Sequence, residues 1–427
     1  MALAAGLLVA TLVWRIPFML WDHLDFAPLY AGWQSGALAR TAFFRIHGGH
    51  LHTAAYTLLF VTTWVSHGQT WLDCLASWML LCLYALLVFA MLRDTLHGDD
   101  GQTRAAAVLI VFLALYPGHL TNLQWGWQVA VFLCLSGAAV VIYSLTRATL
   151  TWKDNLVALV GATLALLSFS TALALTPIAL LAIAVRSELG VTARIGFVIP
   201  WCAATVAAVC APRGDAGLLA HRSADAVGML AQAWNIAHYA LNYLGSGIAR
   251  FATGWAPWLA MLAIVAGVVM AVAAGHRRAT WPWVGLMLFG LFSAVLTALG
   301  RTDEGASQAF VSRYVSFSST FWLGWVGLLA ATTRDTTSKL PLRFALGTIA
   351  LFASVNAASM TKRAERLAGE ARADAATLCA TWPNLDRSLL QHMHYDGAEA
   401  ALERLRVVHE LGFAPFDRCT STGRQTQ

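Results

Sequence analysis

The chain has 427 residues, 58% hydrophobic and only 12% charged, with a mean hydropathy of +0.62. Average soluble domains carry about 25% charged residues, so this composition excludes an ordinary soluble domain and points to a polytopic membrane protein. The net charge of +6 comes from basic residues scattered singly near helix ends, without the Lys and Arg runs of a nucleic-acid-binding surface.

Apolar runs recur from Met1 to Ala358, and because backbone amides inside a bilayer must be satisfied within the segment, the expected fold is all-α. The alternating strands of a β-barrel are missing from the pattern. About eleven spans are expected, at 2–21, 71–92, 105–117, 126–146, 155–172, 173–185, 195–211, 255–275, 281–299, 315–332 and 341–360. The opening stretch has no charged n-region and no small-residue cleavage site, so it reads as a retained span with Arg15 snorkelling at its end. The segment 51–66 is about 16 residues long and is bounded by "HGGHLH" and "SHGQ", which favours a short helix on the outer membrane surface over a crossing. The preceding "FAPLYAGWQSGALARTAFF" has the mixed character of a second such helix.

Orientation follows from Arg and Lys in short loops. Arg93 and Arg104, Arg147 and Lys153, Arg186 and Arg194, Arg277 and Arg278, then Arg334, Lys339 and Arg343 occupy alternate loops, which are expected to be cytoplasmic. The opposite face then receives 117–127, the 168–172 turn, 212–254, 300–314 and the tail from Lys362. With 51–66 on the surface, Asp22 and Asp25 join that face; with 51–66 crossing, they do not. Neither an inverted repeat of the transporter kind nor a phosphate-binding glycine loop is present, which argues against an ATP-driven pump.

The polar stretches of that face carry the candidate chemistry. In "MLWDHLDF", Asp22 and Asp25 are three apart and fall on one face if the helix continues through them, as an acid pair in which one carboxylate acts as base and the other orients it. The plainer reading is a helix end meeting water. "HGGHLH" places His47, His50 and His52 within six residues, suited to phosphate contact or acid work. Metal ligands generally sit on a regular element, whereas Gly-Gly reads as a mobile turn, so no cofactor is required, although a divalent metal is compatible. In "PGHLTNLQWGWQ", Asn122, Gln124 and Gln128 offer amides and Trp125 and Trp127 offer flat faces, a mixture that holds sugars, while an interfacial aromatic belt accounts for the tryptophans alone. "GRTDEGASQAFVSRYVSFSS" supplies Arg301 and Arg313 for a lipid-linked phosphate and Tyr314 to support that contact, with Asp303 and Glu304 balancing the arginines or sharing acid–base work. Ser316, Ser318 and Ser319 run on into the apolar stretch and are expected to face a cavity. "LSFSTALALTP" reads as a break between helices with Ser168, Ser170 and Thr171 as caps, and 226–251 as an amphipathic helix.

With these residues in view, the layout resembles the GT-C superfamily of membrane glycosyltransferases, in which a catalytic acid follows the first span and juxtamembrane helices occupy the first outer loop. "WDHLDF" matches that acidic position, so the resemblance implies Asp22 or Asp25 as the base that takes a proton from an attacking hydroxyl while a polyprenyl phosphate leaves. "HGGHLH", "NLQWGWQ" and "SRYVSFSS" resemble patterns in uncharacterised bacterial relatives. The implied protein sits in a bacterial inner membrane with its site facing the periplasm. It takes a monosaccharide from a polyprenyl-phosphate donor and transfers it to a surface glycan, lipid-linked glycan or pilin-like protein. The resemblance covers roughly 1–360, here taken as a transmembrane domain over 1–361. It departs in lacking a basic flank before the first span and a large outer domain. The tail, 362–427, reads as two or three helices forming a lid, an acceptor-docking unit or a plain cap, with Cys379 and Cys419 able to pair if it lies outside the cytoplasm. The rival readings are a flippase or transporter of lipid-linked sugars, and a polysaccharide ligase or polymerase.

Overall fold

A computed structural model describes residues 2–44, 46–96, 101–210, 226–275, 277–333 and 340–421, and in it the chain is almost wholly helical. In order come α1 (Ala2–Val13), α2 (Ala27–Gln34), a hairpin of β1 (Ile46–His47) and β2 (His50–Leu51), α3 (Thr53–Val65), α4 (Trp71–Thr95), α5 (Gly101–Ala114), α6 (Leu120–Leu123), α7 (Val129–Thr146) and α8 (Trp152–Leu166). There follow α9 (Leu175–Ala184), α10 (Val191–Cys210), α11 (Ala226–Ala249), α12 (Ala256–Ala274), α13 (Trp281–Arg301), α14 (Val315–Thr333), α15 (Leu340–Thr381), α16 (Arg387–Met393) and α17 (Ala398–Glu410). Of the expected loop charges, Arg334 and Lys339 lie outside the described residues, as do 212–225 of the segment expected on the opposite face.

Eight helices among the described residues are long and apolar enough to cross a membrane. The segments expected at 2–21, 155–172 and 173–185 form helices of only 12, 15 and 10 residues. The first stops at Val13 because Pro17 lacks a backbone donor and disfavours helical geometry in the residue before it. Two arginines satisfy its last carbonyls: Arg15 donates to Leu12 O at 2.7 Å, and Arg372 to Val13 O. Helix α3, with 13 residues, is about 20 Å long at ~1.5 Å per residue.

Helix α14 forms the centre, 89% of its apolar window being buried, whereas α10, at 6%, lies on the rim. The outer helices turn large apolar side chains outward, among them Leu86 of α4, Val206 of α10 and Leu262 of α12. Such a band suits contact with lipid tails, which replace water as the neighbour. Where α13 crosses α14, a side chain is excluded. A Cβ on Gly324 would lie 2.5 Å from Met287 N and 2.6 Å from Trp283 O.

The loops with alternate basic residues meet at one end of the bundle. Arg278 donates to Ala148 O at 2.5 Å, Arg186 donates to Leu145 O at 2.7 Å and Arg147 O at 2.6 Å, and Arg186 and Arg278 share Glu188 at 2.9 and 3.1 Å. Trp283 Nε1 donates to Thr95 Oγ1 at 3.0 Å at the same end. The tail does not begin at a break: α15 runs unbroken through residue 361 for 42 residues. From its last turn, a Cys379–Cys419 disulfide ties the returning chain to it, and Ala414 N donates to His67 O at 3.0 Å, so the tail docks on the α3–α4 turn.

Replacing Gly324 by Val is expected to force α13 and α14 apart and to cost on the order of 1–3 kcal/mol, a fall of several degrees in thermal midpoint in detergent. Gly6→Ala, inside α1 with nothing within 4 Å, is the control and should not lower the midpoint.

Candidate functional site

At the end of the bundle opposite the basic loops, the helix breaks converge on a cavity of about 840 Å³. Its wall takes Asp22 from the turn after α1, His47, Gly48, Gly49, His50 and His52 from the hairpin region, and Trp127 and Gln128 from just before α7. Phe169, Ser170 and Thr171 come from the break after α8, Arg301–Glu304 from the end of α13, Arg313 and Tyr314 from the turn before α14, and Tyr395 from the tail.

"WDHLDF" is a 3₁₀ turn, Trp21–Phe26, and not a continuation of α1. Its tighter winding eclipses i and i+3, so Asp22 and Asp25 still share a side. Both face His47, with Nε2 at 3.9 Å from Asp22 Oδ2 and Nδ1 at 3.6 Å from Asp25 Oδ2. Trp21, with φ of 55°, occupies the left-handed region that costs a non-glycine residue roughly 1–2 kcal/mol. Trp125 meets it edge-on at 5.1 Å, and His392 O accepts its Nε1–H at 3.1 Å, which hold the turn in place.

The two carboxylates differ in surroundings. Burial pushes the Asp22 carboxyl up, and the charge of Asp25 adds to this against the opposing pull of His47 and Arg313. Burial also acts on Asp25, but there the nearby His394 imidazole and the charge of Arg404 outweigh it and hold the group below the usual carboxylate range. Arg404 Nε sits 2.6 Å from Asp25 Oδ1, and Tyr395 Oη donates to Oδ2 at 3.5 Å. Asp25 therefore stands behind the cavity wall, and Asp22 on it.

The Gly-Gly of "HGGHLH" forms the turn of a short hairpin. Gly48 and Gly49, at φ of 53° and 81°, close a two-residue hairpin in which His47 pairs with His50. His50 Nδ1 meets Ser170 Oγ and accepts from Ser170 N at 3.4 Å, so its proton belongs on Nε2. His52 is reversed: its Nδ1 donates to Ser168 O at 2.5 Å, leaving Nε2 as an acceptor. Phe169 stacks on His50 at 4.1 Å. Burial lowers both imidazoles, His50 well below its ordinary value and His52 to about 3, so both stand neutral near neutrality. The Ser168 backbone oxygen and Ser170 thus set histidine tautomers; the Ser168 hydroxyl also donates to Leu164 O at 2.6 Å, closing the end of α8, while the following helix has no side-chain cap.

Six other expected residues stand behind the wall without lining it. Asn122 donates to Ser316 Oγ at 2.7 Å and Arg313 O at 3.2 Å, bracing the arginine's turn. Gln124, oriented to suit its neighbours, donates to Trp14 O at 3.1 Å and Ala364 O at 3.0 Å, and Trp125 Nε1 donates to Leu20 O at 3.2 Å. Ser316 also meets His119 at 2.9 Å, and Ser318 meets Ser246 at 3.4 Å. Ser319 bonds back to Ser316 O at 3.0 Å, so these three serines serve helix contacts and not the cavity. Arg301 is paired with Glu304 at 2.7 Å, and Arg313 lies over the Tyr314 ring at 5.4 Å.

A buried polar chain fastens the whole turn from behind. Thr63 Oγ1 donates to Asp73 Oδ2 at 3.0 Å, which leaves it to accept from His23 Nε2 at 3.1 Å, and Thr62 donates to Asp73 as well. Gly126 keeps this room open, since a Cβ there would lie 2.7 Å from that of Asp73. Sequence reading gave no weight to Asp73, His394, Tyr395 or Arg404; an aspartate in the first turn of an otherwise apolar span was the available signal for the first. Among the described residues, no group of three or more His, Cys, Asp or Glu is arranged to hold a metal ion.

Because the folded His52 resists protonation down to about 3 while the unfolded one titrates near 6.5, the unfolded state binds the extra proton as pH falls. Stability is therefore expected to drop by about 1.4 kcal/mol per pH unit from this residue below pH 6.5. His52→Gln should flatten the decline of thermal midpoint between pH 7 and pH 5; an unchanged slope would show that His52 is protonated in the folded protein. Compared with known protein families, curated proteins and solved structures, the chain matches none.

Proposed function

We propose that this protein is a GT-C-like membrane glycosyltransferase that moves a monosaccharide from a polyprenyl-phosphate donor to a glycan or protein acceptor at the outer, periplasmic face of a bacterial inner membrane. The observation that carries the reading is the cavity's polarity: a poorly solvated carboxylate, Asp22, and two arginines, Arg301 and Arg313, line one space that also contains an indole face, Trp127.

In this reading the acceptor hydroxyl attacks the anomeric carbon. Its oxygen forms the new glycosidic bond while the bond from that carbon to the phosphate oxygen breaks, and the electron pair leaves with the lipid phosphate. Asp22 takes the hydroxyl proton, and its burial favours the protonated product of that step. Arg301 and Arg313 face the phosphate as its charge grows. The neutral His50 offers an Nε2–H to a sugar or phosphate oxygen, and Trp127 offers a flat face to the ring.

An apolar groove of about 250 Å³ adjoins the cavity, sharing Gly49, Ser170 and Leu173 with it and lined further by Leu51, Leu166, Leu167 and Ala204. A polar head in the cavity and an isoprenyl chain in the groove is an arrangement consistent with a membrane-anchored donor. The Cys379–Cys419 pair favours an oxidising compartment for this end of the molecule, in keeping with the basic loops at the other. The gathering of ionisable groups at one end also favours a transferase over a transporter, whose sites lie near the middle of the spans.

Membranes containing the protein, supplied with radiolabelled polyprenyl-phosphate monosaccharides, should transfer label to endogenous acceptors. Asp22→Asn is expected to lower the rate by about 100-fold or more. Arg313→Ala should weaken donor binding and raise its KM. Full transfer by Asp22→Asn, or no transfer by the wild type from any such donor, would overturn the reading.

A further inference from the structure

The C-terminal segment reaches the candidate site from the far end of the sequence. Arg404 places Nε and Nη2 each 2.6 Å from Asp25 Oδ1, and His394 Nε2 lies 3.3 Å from the same oxygen. The backbone N–H of Asp396 donates to His394 Nδ1 at 3.1 Å, which leaves the imidazole proton on Nε2, toward Asp25. The other oxygen, Oδ2, takes Tyr395 Oη at 3.5 Å and faces His47 Nδ1 at 3.6 Å. Tyr395 is also part of the cavity wall.

We propose that this segment is an integral part of the site, with Arg404 as the positioning residue that keeps Asp25 an anion and leaves Asp22 as the proton acceptor. The proposal rests on the transferase reading for the identity of the proton donor, but the clamp itself does not. Asp25 has both oxygens engaged, and accepting a proton on Oδ1 would break a charge-assisted bond to Arg404. Asp22 has His47 as its nearest ionic neighbour, at 3.9 Å, and opens on the cavity. Two carboxylates three residues apart thus receive different duties from their neighbours.

The groups that face Asp25 are Asp22 from its own turn, His47 from the hairpin, and His394, Tyr395 and Arg404 from the tail, with Asp396 3.6 Å from Arg404. The tail is held firmly enough to do this. Gln69 Nε2 donates to Asp417 Oδ2 at 3.0 Å, Arg418 donates to Gln69 Oε1 at 3.2 Å, and Phe413 packs edge-on against Tyr30 and Trp64 at 5.4 and 5.6 Å. The disulfide closes the segment between α15 and these contacts.

The test is an infrared pH titration of the purified full-length protein, with Asp25→Asn identifying the Asp25 carboxylate band, run beside the transfer assay on wild type, Arg404→Gln, Arg404→Lys and His394→Gln. Losing the cation favours the protonated acid, so the Asp25 band in Arg404→Gln should convert at higher pH than in wild type, and Arg404→Lys should return it most of the way. Transfer by Arg404→Gln should fall on the order of tenfold at mildly acidic pH and recover as pH rises, moving the acid limb upward. If Arg404→Gln does not fold, His394→Gln removes the imidazole that faces the same oxygen and should shift the band in the same direction. An Asp25 band unmoved in the folded variants, or a loss of transfer that is equal at every pH and not rescued by Lys, would overturn the proposal. A shifted band in a protein that transfers no sugar would keep the clamp and dismiss the transferase reading.

Discussion

Helix α3 is about 20 Å long, and a hydrocarbon core is about 30 Å thick. Helix α1, with 12 residues, is shorter still, and the chain between α1 and α4 gathers at one end of the bundle, where the local structure is built to suit. The chain leaves α1 at Pro17, turns tightly through Trp21–Phe26, reverses in a Gly-Gly hairpin and then enters α3. Each break frees backbone and side-chain groups that a continuous span would have used or excluded, and the freed groups meet those of the α8–α9 break and the α13–α14 turn. The cavity is the space left where these interruptions coincide.

Polar groups in such a place are costly unless each has a partner. Chains of donors and acceptors supply partners for many of them, His23 through Thr63 to Asp73, His119 and Asn122 onto Ser316, and His52 onto Ser168 O, while His23 Nδ1 and His119 Nε2 are left without one among the described residues. Directionality in these chains has chemical content, because it gives His50 and His52 opposite tautomers although they are only two residues apart. The same logic separates Asp22 from Asp25. Their spacing is symmetrical, and their surroundings are not.

The outer-face stretches were legible because polar and aromatic residues interrupted apolar runs at Asp22, His47–His52, Trp125–Gln128 and Arg301–Tyr314, and loop charge sorted them to one end. The extent of α1 was misjudged because apolar content continues past Val13, while Pro17 decides the geometry. The serines of 167–171 and 316–319 were read by local propensity, as caps and cavity linings, whereas distant histidines and neighbouring helices claim several of their polar groups. Nothing local connects Arg404 to Asp25. An arginine on the charged face of an amphipathic helix reads as solvated, and only the return of the tail onto the α3–α4 turn gives it another purpose.

That return has a consequence for biosynthesis. Asp25 and Arg404 are 379 residues apart, so every span must be threaded and the long helix α15 formed before the two can meet. A chain still being made carries a carboxylate pair with no guanidinium behind it. The order of synthesis therefore delays completion of the charged centre until the last helices have folded, and a chain that misassembles in the membrane is left without one.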